Sequence, residues 1–519
     1  MTAAMKDLLL GLDIGTTAAK AALFQPDGAL LAAADAPYPT QFLQPGWVEQ
    51  RPEDWWLAAC EAIRRALAKT KDAPARIAGL AISAQAPTML PLDRESRPLR
   101  PALIWMDRRA EQEVGLIIKQ LGVERVFHIT GNTPDAFYVA AKLLWFKRNE
   151  PDLLKQTRRF VQITGYLNYR LTGIHSLDHV HAALLQLRDY ASGAWSPELC
   201  ELCGVEPSQF PPIRRGHELL GEVTNEAAEA TGLLPGTPVM VGTVDGAAAA
   251  LEAGAAEPGI AAEMTGTSTV LLIPSDGGLR DPALTIMPHA VPEMHLLLGA
   301  MVASGASLRW FRDQFGLPER EAAERVNLDP FDLLTAQAAA VPTGSGGVIF
   351  LPYMMGERAP IWHTNARGVL FGLSLATPKA AIIRAILEGT AFALRHNVEV
   401  AARAGAALQE LRSVGGGSRS PLWCQIKADV LGLPVLLPEA SVGAPFGDAL
   451  LAGMGAGVYD DIAGAVRKLV RPQRRFEPDP AAHDLYNAIY PIFRSLYEHL
   501  REDFDRAAAV NYPQTGSSL

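Results

Sequence analysis

The amino-acid sequence predicts an α/β protein of two domains with a duplicated core, and three observations lead to that prediction. The chain has 519 residues, which is too long for one ordinary hydrophobic core. Apolar runs of strand length alternate with helical stretches along it. A motif at the start of the chain recurs near its middle, which indicates an internal duplication.

The first elements are strands. Three apolar runs separated by turn signals fill the stretch LLLGLDIGTTAAKAALFQPDGALLAAADAPYP and predict an antiparallel meander. The stretch RPEDWWLAACEAIRRALAKT then predicts a helix with Pro52 in its first turn. A buried strand follows in RIAGLAISAQA, and residues 111 to 235 predict mostly helices. In GTPVMVGTVDGAAAALEAGA we expect a strand, a turn and a small-residue helix, with Asp245 at the strand end facing a crevice.

The second half repeats the opening pattern. Residues 261–278 parallel residues 10–29, since each stretch has an apolar lead-in, an acid (Glu263 or Asp13), Gly-Thr-Ser/Thr and an apolar run. We therefore expect domains over residues 1–255 and 256–519. Further along, LRSVGGGSRSPLWCQIKADVLGLPVLL predicts a strand, a glycine-rich turn, a helix and a strand. The stretch around residues 480–506 predicts a closing pair of helices.

Composition and charge exclude several classes of protein. The net charge is −9, and an acidic chain without a basic cluster is a poor nucleic-acid binder. No uninterrupted apolar stretch is long enough to span a membrane. The four cysteines fit a reducing compartment. Cys200 and Cys203 form a lone C-x-x-C pair without a second pair for zinc, so we expect two thiols packed near a helix end. We expect His179 and His181 in a loop or at the surface.

Two Gly-Thr-Ser/Thr hairpins, one in each half, suit an anion. Glycine lets backbone N–H groups approach a phosphate, and the hydroxyls donate further hydrogen bonds. Lys20 follows the first turn closely enough to reach the same phosphates. The stretch VGGGSRS opens a helix directly after a strand. It suits a nucleotide base and ribose at a helix N-terminus, and the alternative is a tight strand–helix turn.

Three acidic residues are candidates for phosphoryl-transfer chemistry. An attacking hydroxyl needs a base beside it, and a cation bridges the phosphate oxygens. Asp245 suits the base. Asp13 suits magnesium, although a strand-end aspartate also commonly bonds its own turn. Asp107 either binds substrate hydroxyls or caps the next helix.

Together these stretches resemble the FGGY carbohydrate kinase family. The similarity covers nearly the whole chain, through motifs that include GLDIGTTAAKAALF, GWVEQRPEDWW, ALIWMDRRA, VGTVDGAAAALEAG, MTGTSTVLL and VGGGSRSPLWCQIKADVLGLPV. The xylulokinase branch looks most similar. The resemblance implies a two-domain actin-like, ribonuclease H-like ATPase fold with a ligand cleft between the domains. It also implies phosphorylation of a sugar, ketose or polyol hydroxyl by ATP with Mg²⁺.

The resemblance also assigns roles by position. It makes Asp245 the catalytic aspartate and Asp13 the acid near magnesium. It places ATP against the two phosphate turns, a nucleotide-side glycine and the adenosine turn, at Thr16, Thr17, Lys20, Gly266, Thr267, Ser268, Gly305, Gly416, Gly417 and Ser420. It places the acceptor at Gln85, Ala86, Pro87, Asp107, Asp245 and Gly246.

The acceptor pocket departs from the family pattern. Xylulokinases usually read Gln-Met-His where this chain has Gln85, Ala86 and Pro87, and the Arg-Glu pair of glycerol kinases is absent too. The residue after the catalytic aspartate is usually Asn or Gln, and Gly246 looks more like gluconate-type members. We therefore expect phosphorylation of a sugar hydroxyl, foremost of a pentulose such as xylulose. The alternatives are a pentitol, L-ketose, gluconate or glycerol-like acceptor, and, from another class, a non-kinase actin-like ATPase.

These expectations extend to the domains and to the setting of the protein. Residues 1–255 are expected to hold the sugar, the first phosphate turn and the catalytic aspartate. Residues 256–519 are expected to hold the second phosphate turn and the adenosine. The expected partner is a small-molecule sugar or polyol, with neither nucleic acid nor membrane, in the cytoplasm. A homodimer is left open.

Overall fold

The computed structural model describes residues 6–439 and 442–510. The described chain forms two compact units. The first unit contains residues 6–257, Pro274–Leu296 and 442–471, and the second contains Pro258–Ile273, Leu297–Glu439 and 472–510. The division of roles between residues 1–255 and 256–519 stays a prediction. None of the helices within the described residues is long and apolar enough to cross a membrane.

Strands occur throughout both units. They are β1 (Leu8–Ile14), β2 (Ala18–Phe24), β3 (Leu30–Pro37), β4 (Gln41–Gln44), β5 (Trp47–Gln50), β6 (Ile77–Ala84), β7 (Leu90–Leu92), β8 (Ala102–Leu103), β9 (Arg159–Val161), β10 (Leu177–Asp178), β11 (Ile213–Arg214), β12 (Leu219–Glu222), β13 (Pro238–Met240), β14 (Thr243–Val244), β15 (Ile260–Thr265), β16 (Thr269–Ser275), β17 (Thr285–Pro288), β18 (His295–Met301), β19 (Ile349–Leu351), β20 (Val369–Phe371), β21 (Glu410–Val414), β22 (Val435–Pro438) and β23 (Pro472–Phe476).

Helices separate and cover these strands. They are α1 (Pro52–Leu67), α2 (Ala73–Arg76), α3 (Glu111–Leu121), α4 (Val123–Thr130), α5 (Val139–Asn149), α6 (Pro151–Gln156), α7 (Ile163–Thr172), α8 (His179–Leu184), α9 (Pro197–Cys203), α10 (Asn225–Thr231), α11 (Asp245–Ala253), α12 (Ser304–Phe315), α13 (Leu317–Val326), α14 (Pro330–Ala339), α15 (Lys379–Arg403), α16 (Pro421–Leu431), α17 (Pro445–Gly455), α18 (Ile462–Leu469) and α19 (Pro480–Ala508). The helix-rich stretch predicted between residues 111 and 235 is confirmed.

The main sheet of the first unit has the strand order β12–β13–β6–β1–β2–β3, with β14 also paired to β6. β1 runs antiparallel to β2, and β2 antiparallel to β3, so the predicted meander is confirmed. β1 and β6 run parallel. Every residue of β6 is buried, as in a strand that is covered on both faces. Helix α17 lies against β1 and β6, and helix α1 lies against β2 and β3.

The second unit repeats this core. Its strands follow the order β18–β16–β15–β21–β22–β23. β15 runs antiparallel to β16 and parallel to β21, as β1 does to β2 and β6. The equivalence reaches single residues: Asp13 is opposite Ser83 in the first unit, and Glu263 is opposite Ser413 in the second. This matching register confirms the predicted duplicated core.

The C-terminal prediction was wrong, because one helix replaces the expected pair. Helix α19 continues through Pro491 without interruption. Its buried residues Tyr486, Tyr490, Phe493 and Tyr497 recur at helical spacing on both sides of the proline. Continuous burial of this apolar face outweighs the backbone hydrogen bond that proline removes.

The histidine prediction was also wrong. His181 is fully buried on α8, where its Nδ1 contacts the Asp178 carboxylate. Asp178 also accepts hydrogen bonds from the first backbone N–H groups of α8 and so caps the helix. A histidine whose Nδ1 pairs with a capping carboxylate can lie inside the protein, so its polarity did not indicate exposure.

Cys200 and Cys203 pack near the end of helix α9, as predicted. Both are buried free thiols. Burial raises the pKa of the Cys200 thiol to about 11 and that of Cys203 to about 12. Both therefore stay protonated at neutral pH and pack as small apolar groups.

Candidate active site

Asp245 lies at the junction of a strand and a helix in the first unit. Strand β14 pairs in parallel with the end of β6, and Asp245 follows it as the first residue of α11. The Asp245 carboxylate accepts a hydrogen bond of 2.6 Å from the backbone N–H of Gly246. A carboxylate at a helix N-terminus is favourably placed in the helix dipole. The side chain remains partly exposed.

Two further carboxyl groups lie close by in the same unit. Asp13 on β1 and Ser83 on β6 are neighbours in the parallel ladder, and the Ser83 Oγ lies 3.4 Å from the Asp13 carboxylate. The Ser83 hydroxyl donates a shorter hydrogen bond of 2.8 Å to Asp448 on α17. Asp448 is fully buried, and its Oδ1 has no hydrogen-bond partner within the described part of the chain. The fold thus gathers carboxyl groups from three distant segments.

The three carboxyl groups resist ionisation. Burial raises the pKa of Asp13 to about 6, although Lys20 opposes that rise. Burial and the charge of Asp13 raise the pKa of Asp245 to about 7. The pKa of Asp448 rises well above its usual value, again because of burial and then of Asp13. A bound cation would favour the ionised carboxylates, so the cluster suits a cation and a proton acceptor working near neutral pH.

The first glycine-threonine turn joins β1 and β2 beside this cluster. The Thr16 carbonyl accepts a 2.8 Å hydrogen bond from Gln50, and the indole N–H of Trp105 donates to the Thr16 hydroxyl over 3.2 Å. Thr17 is exposed at the tip of the turn. Lys20 is opposite Asp13 in the antiparallel ladder, and its ammonium group lies 3.3 Å from the carbonyl of Val442. The contacts of Thr16 fix the turn in place, while Thr17 at its tip stays exposed.

Gln85 begins the predicted acceptor segment, directly after β6. The Gln85 amide donates a hydrogen bond of 2.8 Å to Gln50, and its buried Oε1 has no partner among the described residues. Ala86 and Pro87 follow it. An acceptor hydroxyl is the kind of donor that such an oxygen lacks.

Asp107 is fully buried and already paired. Its carboxylate accepts a hydrogen bond of 2.6 Å from the Val48 backbone N–H and forms a 2.8 Å ion pair with Arg109. The capping alternative was wrong, because α3 begins after Ala110 without a side-chain cap. The substrate role of Asp107 stays a prediction.

The second glycine-threonine turn, Gly266 to Ser268, joins β15 and β16 in the second unit and is exposed. Gly305, near the start of α12, packs directly on it. A Cβ at Gly305 would lie 2.0 Å from the Gly266 carbonyl oxygen, so only glycine fits there. The Ala306 N–H also donates to the Thr267 carbonyl over 2.9 Å. The structure therefore brings the predicted nucleotide-side glycine to the predicted phosphate turn.

The glycine-rich turn follows β21 in the same unit. Gly416 is exposed, while Gly417 packs so closely on Thr265 that a Cβ would lie 2.5 Å from the Thr265 methyl carbon. The Ser420 hydroxyl caps α16 by accepting a 3.3 Å hydrogen bond from the Trp423 N–H. This confirms the predicted strand, turn and helix.

Sequence reasoning missed two acids at the first-unit site. One is Asp448, described above. The other is the buried Glu252, which accepts a 2.7 Å hydrogen bond from the Gly443 N–H near Lys20. The signal for Asp448 was a lone acid inside the small, apolar stretch APFGDALLAG. That same kind of signal singled out Asp245.

Comparison with known proteins identifies the family. The N-terminal domain of the FGGY family of carbohydrate kinases matches residues 8–252, and its C-terminal domain matches residues 261–456. The xylulose kinase of Bacillus subtilis (strain 168) is 29% identical over 496 residues, covering 95% of this chain and 97% of that protein. The gluconokinase of the same organism is 28% identical over 508 residues, covering 97% and 98% of the two chains.

A solved structure extends the match to three dimensions. The xylulose kinase from Rhodospirillum rubrum has a TM-score of 0.88 and 34% identity, covering 96% of this chain and 100% of that one. The FGGY resemblance and the predicted actin-like fold are both confirmed. The chain is an ATP-dependent sugar kinase of the FGGY family of carbohydrate kinases.

Proposed function

We propose that this kinase transfers the γ-phosphoryl group of ATP to a hydroxyl of a pentulose such as xylulose, with Asp245 as the general base. The observation that carries the proposal is the position of Asp245 as the first residue of α11 beside a second acid, Asp13, where its pKa is raised to about 7. A general base works best when its pKa lies near the operating pH. Asp245 also keeps part of its surface exposed, where a hydroxyl can reach it.

In the proposed reaction, the Asp245 carboxylate accepts the proton of the attacking hydroxyl. The hydroxyl oxygen forms a new bond to the γ-phosphorus, and the bond from that phosphorus to the bridging oxygen of ADP breaks. The products are a sugar phosphate and ADP. Asp245 returns its proton to solvent after the product leaves. Positioning and charge stabilisation supply most of the catalysis in such reactions.

Asp13 is the residue proposed to hold Mg²⁺. Among the described residues, no group of three or more His, Cys, Asp or Glu side chains is placed so that it could hold a metal ion by itself. Mg²⁺ in such enzymes is held by one or two carboxylates together with substrate phosphates, so Asp13 with its neighbour Asp448 fits. The partnerless, buried Oδ1 of Asp448 supports this fit. The cation would neutralise charge on the phosphate oxygens.

The proposed contacts of ATP are exposed turns. Thr16, Thr17 and Lys20 are the proposed phosphate contacts of the first unit. Gly266, Thr267 and Ser268 are those of the second, with Gly305 beside them. The adenosine is proposed to lie against Gly416, Gly417 and Ser420, where the Gly416 backbone is exposed and α16 presents its N-terminus.

The acceptor is proposed to be recognised differently from the xylulokinase pattern. Alanine at position 86 has no polar side-chain atom, and Pro87 lacks even a backbone N–H. Gly246 has no amide side chain to hold a hydroxyl. Fewer hydrogen-bonding partners relax specificity, so a pentitol, an L-ketose, gluconate or a glycerol-like molecule is a second candidate acceptor. Gln85 and Asp107 are the remaining proposed polar contacts.

An ADP-release assay over a panel of acceptors tests the proposal. The panel holds D-xylulose and other pentuloses, pentitols, gluconate, glycerol and erythritol. We expect acceptor-dependent ADP release, with D-xylulose preferred to the other acceptors by less than about 10³-fold in kcat/KM. A larger preference would mean that other residues rebuild a standard xylulose pocket. A rate of ADP release that is the same with and without each acceptor would instead favour the non-kinase actin-like ATPase.

The compartment and the oligomeric state of the enzyme are also proposals. The cytoplasm is supported by Cys60, Cys200, Cys203 and Cys424, which are all buried free thiols. The homodimer stays a prediction, and light scattering of the purified protein would measure it.

A further inference from the structure

A buried ion pair lies at the base of the second phosphate turn and has no part in the proposed chemistry. Glu263 on β15 is fully buried, and Lys427 on α16 is 2% exposed. The Lys427 ammonium lies 2.8 Å from the Glu263 carboxylate. A buried charge pair is costly unless its geometry is good and its remaining lone pairs and protons form hydrogen bonds. This pair meets both conditions, so its arrangement is specific.

The Glu263 carboxylate collects three donors. They are Lys427, the hydroxyl of Ser413 and the hydroxyl of Thr265. Lys427 also lies 3.3 Å from the Ser413 Oγ. Every charged atom of the pair is therefore engaged, and neither group is left free to act as a base or to bind a ligand.

The first unit uses the equivalent positions differently. Asp13 and Ser83 occupy the ladder positions that Glu263 and Ser413 occupy in the second unit. There the serine meets another carboxyl group, Asp448, instead of a lysine. The first copy therefore brings a second carboxyl group close, whereas the carboxylate of the second copy is paired with Lys427. That difference points to a positional role for the second copy.

Thr265 connects the pair to both turns proposed to bind ATP. Its hydroxyl lies 2.7 Å from that of Thr269, so the two threonines close the base of the turn between them. Its carbonyl oxygen would lie 2.7 Å from a Cβ at Gly415, and its methyl carbon 2.5 Å from one at Gly417. A shift of Thr265 would therefore move the phosphate turn and the adenosine turn together.

We infer that Lys427 is a positioning residue for ATP, which holds β15 and α16 in register through Glu263 and Thr265 and so fixes the spacing of the two nucleotide-binding turns. The inference rests on the proposed placement of ATP against those turns. Precise placement matters because a displacement of about 1 Å can cost about 100-fold in rate. Lys427 acts here without touching the nucleotide.

Calorimetric titration of the full-length protein with ADP tests this role. The test variant is Lys427→Met, which keeps the length of the side chain and removes its charge. The control is Arg384→Met, which breaks another buried pair of the same unit, the 2.8 Å contact between Arg384 and Glu388. In that second pair, Glu388 accepts a hydrogen bond from the Ser345 hydroxyl, away from the two turns. Tm is measured for both, so that affinities are compared at similar losses of stability.

We expect Lys427→Met to weaken ADP binding about tenfold or more and Arg384→Met by less than about twofold. In turnover assays with the best acceptor of the panel, the KM for ATP should rise more than kcat falls. Wild-type ADP affinity in Lys427→Met would overturn the inference, and so would equal weakening in both variants. Absence of ADP binding by the wild-type protein would instead refute the nucleotide site itself.

A double variant covers the case in which Lys427→Met does not fold. Glu263→Gln combined with Lys427→Met removes both charges and leaves no unpaired carboxylate. It still lacks the link from α16 to β15. We expect this variant to fold and to bind ADP at least about threefold more weakly than wild type. Wild-type affinity in the folded double variant would contradict the inference.

Discussion

Replacing Asp245 by asparagine separates catalysis from stability at this site. The amide has nearly the shape of the carboxyl group, yet it cannot accept the proton of the attacking hydroxyl. Loss of a general base costs roughly 10²–10⁴-fold in rate, so kcat of Asp245→Asn should fall by that factor. ADP affinity should stay at the wild-type value, because the turns proposed to bind the nucleotide are unchanged.

The same substitution should stabilise the folded protein at high pH. The pKa of Asp245 is raised from 3.8 to about 7, so the folded state holds this proton more tightly than the unfolded state does. The contribution of Asp245 to stability is therefore fully present below about pH 4 and is lost as the pH rises to 7. At about 1.4 kcal/mol for each pKa unit, ionised Asp245 costs on the order of 4 kcal/mol at pH 8. Partial exposure of the side chain lets solvent relieve about half of that cost.

Differential scanning fluorimetry without nucleotide measures this effect. Asp245→Asn should raise Tm by about 2 °C at pH 8, since an unfolding entropy of about 2.1 cal/mol/K per residue makes about 2 kcal/mol correspond to about 2 °C in a chain of 519 residues. The gain should shrink towards zero at pH 4, where wild-type Asp245 is itself protonated. A variant with near-normal kcat would refute the role of Asp245 as base. A Tm below that of wild type at pH 8 would refute the electrostatic reasoning.

The remaining predictions concern pH and packing. In wild type, kcat/KM should rise with pH and level off above about pH 7, as Asp245 loses its proton; a flat profile between pH 5 and 8 would contradict this. Gly447→Ala should lower stability by about 3 kcal/mol or more, because its Cβ would lie 2.0 Å from the Ala248 carbonyl of α11. The control Gly115→Ala, where nothing lies within 4 Å, should stabilise α3 by about 0.5–1 kcal/mol in urea denaturation. Burial lowers the pKa of His289 to about 4, so stability should fall as the pH drops below 6.5; His289→Asn should flatten that loss in Tm.

The two glycine-threonine hairpins could be predicted from the sequence because their information is local. The glycine and threonines of the first turn lie between two apolar runs of strand length, and the second turn repeats that pattern. Local patterns of this kind fix strands, turns and helix starts. Asp245 was recognisable for a related reason, since a carboxylate among small apolar residues needs an explanation.

Long-range partners were beyond the reach of the sequence. Ser83 and Asp448 are separated by 365 positions yet share a hydrogen bond. Nothing in the neighbourhood of either residue indicates the other. The burial of His181 likewise depends on its contact with Asp178 once α8 has formed, and polarity alone predicted exposure.

The contrast between the two copies of the core also appears only in three dimensions. Asp13 and Glu263 occupy equivalent motif positions, and the sequence treats them alike. Their surroundings differ, since Asp448 lies near one and Lys427 contacts the other. The third partner comes from a different part of the chain in each unit, so the local motif cannot distinguish an acid beside a second carboxyl group from one paired with a lysine.

The central claim is that Asp245 takes the proton of an acceptor hydroxyl during transfer of the γ-phosphoryl group. It is tested most directly by measuring ADP and sugar phosphate together, with and without acceptor, in wild type and Asp245→Asn. Wild type should release one ADP for each sugar phosphate formed. Asp245→Asn should bind ADP normally and lose both products in parallel, by roughly 10²–10⁴-fold. Equal product formation by the two proteins, or ADP release without any phosphorylated acceptor, would contradict the account.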